Sequence, residues 1–441
     1  MGRRPAGAAR GPASGGPGLP RAGRRIRIGG RASERRSPSH RASALGPRSR
    51  RRAAPPLALN PFASISTRDP VAPRAGTLVT PHGEVRTPAF MPVGTQGSVK
   101  GLSPADLRAS GTQILLANTY HLMLRPGSAV IRGLGGLHRF MAWDRPILTD
   151  SGGYQVLSLK GLVKVREEGV EFRSHLDGAL EFLTPERSME VQADLGSDIA
   201  VTLDHAVPLP LDPAAQREAG ERTIRWTERS LHRARELEPA GGARQLLFAI
   251  VQGGGDPALR KEMAARTSAF ECDGFAIGGL SVGEEKRETW ALARAAAEAL
   301  PADRPRYLMG MGTPLDLLEG IACGIDLFDC VLPTRNARNG MAFTAAGPLN
   351  IRNAEHAGSE RPLDAGCACE ACALMSRAYL RHLHLAGEIL AHRMLTLHNV
   401  TFYQTLMEGA RRAIERGLYH QYAREFSERY RERDGNPPAP A

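Results

Sequence analysis

QLLFAIVQ (245–252), GFAIGGL (274–280), RYLMGMG (306–312) and DLFDCVL (326–332) are four short apolar runs, each closing on polar or glycine residues. Four more precede them: AFMPVGT (89–95), QILLANT (113–119), RPILTDS (145–151) and DIAVTLD (198–204). Unbroken apolar runs of this length suit strands buried on both faces of a parallel sheet. Helical segments lie between most of them. Asp212 opens one over 213–236, Asp256 opens another over 257–269, and a third spans 285–300. Eight such strands alternating with helices predict an α/β fold, a (β/α)8 TIM barrel. Ahead of the first run, AGTLVTPHGEVRT (75–87) reads as a hairpin with His82-Gly83 at its turn. LVKVREEGVEFRSHLDGALEFLTP, between the third and fourth runs, alternates like an inserted β-ribbon.

A barrel builds its active site at the C-terminal ends of its strands. Those ends carry Asn118, Asp150, Asp204, Gln252, Gly278-Gly279, Met309-Gly310 and Asp329. Three carboxylates in one ring repel one another unless a ligand or a function offsets the cost. Taken singly, each is equally well a helix cap or a salt-bridge partner. Displacement at an anomeric carbon with retention uses one carboxylate as nucleophile and a second as acid/base. The ring supplies both and leaves a third for recognition. Gly152-Gly153 and Gly278-Gly279 let a flat ligand approach the backbone, or are simple turns. Tyr154 is placed to stack on a base, or to pack at the rim.

The chain is 24% charged and 42% hydrophobic, an ordinary globular composition. Its net charge of +12 suggests nucleic acid, but the distribution is lopsided. Residues 1–52 hold 15 Arg and a single acid, Glu34, so the remainder carries −2. An RNA footprint on the body is therefore a local patch, not a global field. The Arg-, Gly- and Pro-rich stretch over 1–66 has little to bury and is expected to be a disordered tail, as is 434–441. The tail fits a transit peptide, a non-specific RNA-binding arm or a solvated segment without a role. There is no secretory signal and no transmembrane stretch, so a cytoplasmic protein without membrane contact is expected.

Six cysteines are present, and Cys367, Cys369 and Cys372 crowd together. In a chain with no export signal this spacing predicts a structural zinc site, whose fourth ligand could be His382, His384, His392 or His398. Arg335 and Arg338, just past Asp329, suit phosphates, or a loop salt bridge. Arg377, Arg381, His382, Arg393, Arg411 and Arg412 either extend that track or are ordinary surface residues.

DSGGYQ (150–155), VQGG (251–254), FAIGGLSVGE (275–284), LMGMGTP (308–314), FDCVLPTRNARNG (328–340) and CACEAC (367–372) together resemble the tRNA-guanine transglycosylases. The resemblance runs from about residue 70 to 433. It implies a catalytic domain over 67–433 with a zinc subdomain inserted at about 340–400. It also implies exchange of the wobble guanine of GUN-anticodon tRNAs for 7-aminomethyl-7-deazaguanine (preQ1), a step in queuosine biosynthesis. The partners implied are tRNA, preQ1, guanine and a second copy of the chain. By resemblance, Asp329 is the nucleophile on C1′ and Asp150 the general acid/base. Ser151, Asp204, Gln252, Gly279 and Leu280 read the base, Tyr154 and Met309 sandwich it, and Asn118 lies near the ribose. Arg335 and Arg338 hold the anticodon loop. His398 joins Cys367, Cys369 and Cys372 on one structural Zn2+ per subunit.

Bacterial members of that family carry Val where this chain has Val282, and use preQ1; eukaryotic members carry Gly and take the bulkier queuine. After Asp204, bacterial members usually read Glu-Cys, and this chain reads His205-Ala206, which predicts a roomier pocket. Two other classes remain to be weighed: a non-catalytic tRNA-binding accessory subunit, and a retaining glycosidase. Asp150 and Asp329 both stand, against the first. Low aromatic content and a zinc region without a role speak against the second.

Overall fold

In the computed structural model the described residues are 60–64, 69, 71–159, 163–208, 212–238, 244–281 and 283–430. The expectations for residues 1–59 and 434–441, and the role of Val282, lie outside them. All eight apolar runs are parallel strands of one sheet: Ala89–Pro92, Leu115–Ala117, Ile147–Thr149, Ile199–Val201, Leu246–Val251, Gly274–Ile277, Arg306–Leu308 and Leu327–Cys330. Seven neighbouring pairs are hydrogen-bonded in ladders, and the eighth strand pairs with the first. A parallel bridge between Val93 and Leu116, with Gly94 N donating to the Leu116 carbonyl at 2.7 Å, closes the ring. Closure leaves no strand edge to solvent. Phe248, Ile250, Ala276, Leu148 and Leu327 fill the barrel side by side, so the centre is core, not pore.

The helices between strands open as their sequences dictate. Asp212 accepts from Ala215 N at the head of Pro213–Glu236, and Asp256 from Ala258 N at the head of Pro257–Thr267. Glu285 and Glu288 form a reciprocal cap on Lys286–Ala299. The insertion after the third strand is a three-stranded antiparallel ribbon, Val163–Val165, Val170–Arg173 and Leu180–Leu183. Beyond the eighth strand come Leu332–Arg338, a hairpin (Met341–Thr344 and Gly347–Asn350), and short helices. The 27-residue helix Ile389–Glu415 follows. It returns to the barrel, where Gln404 donates to the Phe90 carbonyl at 3.1 Å and Tyr403 to that of Gly312 at 2.7 Å. Among the described residues no helix is long and apolar enough to cross a membrane.

Two expectations change. Phe62–Ser64, inside the stretch assigned to the tail, is a strand on the edge of the N-terminal hairpin. Its Phe62 is buried, and that apolar contact plus the ladder outweighs the Arg- and Pro-rich context. The hairpin pairs Thr80 with Gly83, so Pro81-His82 is the turn and Gly83 begins the returning strand. Asp198, just before the fourth strand, fastens that hairpin beneath the barrel. It accepts from His82 N and Ile147 N at 2.9 and 2.8 Å, while His82 Nδ1 lies 2.8 Å and His138 Nε2 3.0 Å from its two oxygens. Burial pushes this carboxyl up, but the two imidazoles prevail and hold it at about 2.

Candidate active site and metal cluster

The strand ends gather at one mouth. Asp150 follows the third strand and is buried. Its Oδ1 accepts from Thr119 N at 2.9 Å; its Oδ2 accepts from Gln155 Nε2 at 2.9 Å and from Asn118 Nδ2. Burial lifts its pKa to about 6, the three donors oppose that, and the negative charge of Asp329 adds to the lift. Asp204, past the fourth strand, is buried and also raised to about 6. Gln252 Nε2 donates to its Oδ2 at 2.6 Å, and Ser151 Oγ reaches Oδ1 at 3.4 Å. Asp329 lies inside the eighth strand, not at its tip. Burial raises it too, against donors to Oδ1 from Tyr307 at 2.6 Å and Gly310 N at 2.7 Å.

The glycines make room for neighbouring side chains. A Cβ on Gly279 would stand 2.2 Å from Gln252 Oε1, and Gly279 has φ +62. A Cβ on Gly153 would meet Asp204 Oδ1 at 3.0 Å. The Gly278 and Gly279 carbonyls turn to Arg260, which donates at 3.0 and 2.7 Å and also holds the Gly254 carbonyl at 2.8 Å. Burial lowers the Arg260 pKa to about 10, so it stays charged at neutral pH.

Tyr154 stands 51% exposed on Gly153–Leu157, free to meet a ligand face. Met309 is half-buried after the seventh strand, and Leu280 is buried beside Gly279. Asn118 is committed to Asp150 rather than Asp329. Ser151 N-terminal to the short helix also accepts from Gly153 N at 3.2 Å.

Arg335 and Arg338 project from Leu332–Arg338, one helix beyond Asp329. Neither pairs with a carboxylate among the described residues; Arg338 donates to the Thr334 carbonyl at 2.8 Å. Other basic residues weighed for a phosphate track are already engaged. Arg393 pairs with Asp106 at 2.7 Å and Arg412 with Glu408 at 2.9 Å. Arg411 is buried on the Pro88 carbonyl, and Arg377 and Arg381 bond backbone carbonyls.

The Cys367, Cys369 and Cys372 sulfurs and His398 Nδ1 all lie within 4.8 Å of one another. His398 comes from the long helix and is buried; its Nε2 donates to the Phe343 carbonyl at 2.7 Å, which leaves Nδ1 as the ligating nitrogen. His384 and His392 meet edge to face with ring centroids 5.4 Å apart, and His382 is exposed. The donor set fits a closed tetrahedral metal site, and spacing alone had left this choice among four histidines open.

Sequence reasoning passed over Tyr307, Thr119 and Arg260, and placed Gly310 at the mouth without giving it a role. Gln155 sits in the quoted DSGGYQ motif but received no role. Tyr307 carried one usable signal: it points into the barrel on a strand whose next inward position reaches the mouth.

Fold and mouth define the class, a (β/α)8-barrel enzyme with a carboxyl-lined pocket and an appended Cys3His knot. Comparison with known proteins narrows it. The family model described as queuine tRNA-ribosyltransferase matches residues 69–432. A protein of that name from Solidesulfovibrio magneticus is 53% identical over 359 residues, 81% of this chain and 95% of the relative. One from Sphingopyxis alaskensis is 52% identical over 368 residues, 83% and 98% of the two chains. The chain belongs to the queuine tRNA-ribosyltransferase family.

Proposed function

We propose that this enzyme replaces the wobble guanine of GUN-anticodon tRNAs, those for aspartate, asparagine, histidine and tyrosine, with preQ1 in queuosine biosynthesis. The observation that carries the reading is that Asp150 and Asp329, one just past the third strand and one on the eighth, bring two buried carboxyls to one mouth of the barrel. The bacterial relatives favour preQ1 over queuine.

The target nucleotide is turned out of the anticodon loop. Asp329 attacks C1′, and Asp150 protonates the departing guanine. The incoming base then gives its proton to Asp150 and displaces the carboxylate. Asp204, Gln252, Ser151, Gly279 and Leu280 read the base edge, Tyr154 and Met309 cover its faces, Asn118 orients Asp150 beside the ribose, and Arg335 and Arg338 take backbone phosphates. Cys367, Cys369, Cys372 and His398 would hold one Zn2+ per subunit, which supplies cross-linking of the subdomain and, with four ligands, no open position for substrate. A homodimer completes the reading, supported by the exposed apolar side chains Leu374, Tyr379, Leu385 and Ile389 next to the knot. The work is placed in the cytoplasm, where bacterial tRNA resides.

Purified protein is given unmodified tRNA with preQ1 and queuine at equal concentration, and the digested tRNA is analysed by mass spectrometry. PreQ1 is expected to enter, and Asp329→Asn to abolish exchange while tRNA binding persists. Queuine alone would put selectivity at Ala206. Tight tRNA binding with neither base incorporated would mean an accessory subunit.

A further inference from the structure

The Asp329 carboxylate is held asymmetrically. Both donors reach Oδ1: the Tyr307 hydroxyl at 2.6 Å and Gly310 N at 2.7 Å. Among the described residues no donor contacts Oδ2. Tyr307 is itself fully buried on the seventh strand, packed among Ile250, Ala276 and Leu327, so its hydroxyl has little freedom to turn elsewhere. We propose that Tyr307 is a positioning residue of the exchange reaction, which with the Gly310 amide anchors Oδ1 of Asp329 and leaves Oδ2 as the oxygen that attacks C1′.

The proposal rests on Asp329 being the nucleophile. In the first displacement an Oδ2 lone pair forms the bond to C1′ while the C1′–N9 pair leaves with guanine, which takes a proton from Asp150. Oδ1 then becomes the carbonyl oxygen of the ester, still facing the same two donors. In the second displacement the incoming base loses its N9 proton to Asp150 and forms the new C1′–N9 bond. The C1′–Oδ2 pair returns to Asp329, and the charge regrowing on Oδ1 meets the Tyr307 hydroxyl again. One donor thus serves Asp329 both as attacking group and as leaving group. Burial and the charges of Asp329 and Asp150 push the Tyr307 phenol well above its ordinary pKa, so it remains a donor throughout the working pH range.

Tyr307→Phe keeps the ring and its packing and removes only the hydroxyl. A hydrogen bond to a charged group of this kind is expected to be worth a fall in kcat of about ten- to a hundredfold. KM for tRNA should stay within about twofold. Because the lost donor favoured the ionised carboxyl, the acid limb of the pH–rate profile should move to higher pH. The enzyme–tRNA adduct, quenched in denaturant and resolved by gel, should form more slowly. A variant with wild-type kcat and an unmoved acid limb overturns the proposal. So does one in which KM and thermal stability change while the limb stays in place, since that is a packing role. Asp329→Asn is run alongside: if it still exchanges base or forms adduct, the nucleophile assignment itself fails, whereas an inactive Asp329→Asn with a wild-type Tyr307→Phe refutes only the role of Tyr307.

Discussion

Gly279→Ala tests the base pocket at its tightest point. An added Cβ would lie 2.2 Å from Gln252 Oε1, and the backbone there has φ +62. The left-handed conformation costs an alanine about 1–2 kcal/mol. The clash adds a second cost. Gln252 is the flexible partner and must swing away, breaking its 2.6 Å hydrogen bond to the buried Asp204 carboxylate. A hydrogen bond to a charged group contributes about 1.5–3 kcal/mol. The total is about 2.5–5 kcal/mol of folding stability, and the base edge loses one of its readers. Gly417→Ala is the internal control: φ is +70 and nothing stands within 4 Å, so only the conformational cost applies. Denaturant titration of both variants gives the stability difference, and exchange of labelled guanine gives KM. Gly279→Ala should be the less stable by about 1.5–3 kcal/mol, with the guanine KM raised about tenfold or more and the tRNA KM unchanged. Equal stabilities and an unchanged guanine KM would refute the reasoning, because Gln252 would then not be pinned between Gly279 and Asp204.

The pKa of Asp204 is raised to about 6 from 3.8, so the stability linked to it is complete below about pH 4 and is lost as pH rises through 6. Asp204→Asn removes that loss and should gain about 2–3 kcal/mol at about pH 8, with the gain shrinking toward about pH 4.5, while base exchange is abolished. Paired denaturation curves at the two pH values check the sign; a gain independent of pH refutes it. Cys372→Ser should lose bound zinc by atomic absorption and lower the melting temperature, as should a strong chelator acting on the unaltered chain. A chain that purifies without zinc at full stability would contradict the metal assignment. Arg335→Ala and Arg338→Ala should each raise KM for tRNA and flatten its dependence on log salt by about one unit, leaving the guanine KM unmoved; a variant that shifts only the guanine KM would place that arginine in the pocket.

The fold was legible because each barrel strand is buried on both faces and therefore writes itself as an unbroken apolar run. Asp150, Asp204 and Gln252 follow from the same pattern, since each closes its run on the side where a barrel places its mouth. What escaped was pairing across the barrel. Tyr307 and Asp329 sit on neighbouring strands 22 residues apart, and the sequence around either says nothing of the other. Arg260 resembles Arg266, the other arginine on its helix, until the fold buries it among the Gly254, Gly278 and Gly279 carbonyls. Phe62–Ser64 was absorbed into the tail because three residues are too few to show a period. Spacing left the fourth metal ligand open among four histidines; the family resemblance named His398, and the long helix brings that residue to the three cysteines.

Two of the three carboxyls at the mouth take their donors from within the protein: Gln252 donates to Asp204, and Asn118, Thr119 and Gln155 to Asp150. On the proposed reading, a base entering must displace the Gln252–Asp204 bond and replace it with its own edge. The gain from binding is then a difference between hydrogen bonds made and broken, smaller than the contacts themselves suggest. Exchange needs that property. Guanine has to leave the same pocket that the second base enters, and a site that held guanine through wholly new interactions would be stopped by its own product. The raised pKa of Asp204 works in the same direction, since a carboxyl near 6 is ionised at neutral pH yet costs the folded protein stability until a donor-rich base edge meets it. Binding energy for the correct edge is thus partly relief of that cost, and a ligand with acceptors at those positions leaves it unrelieved.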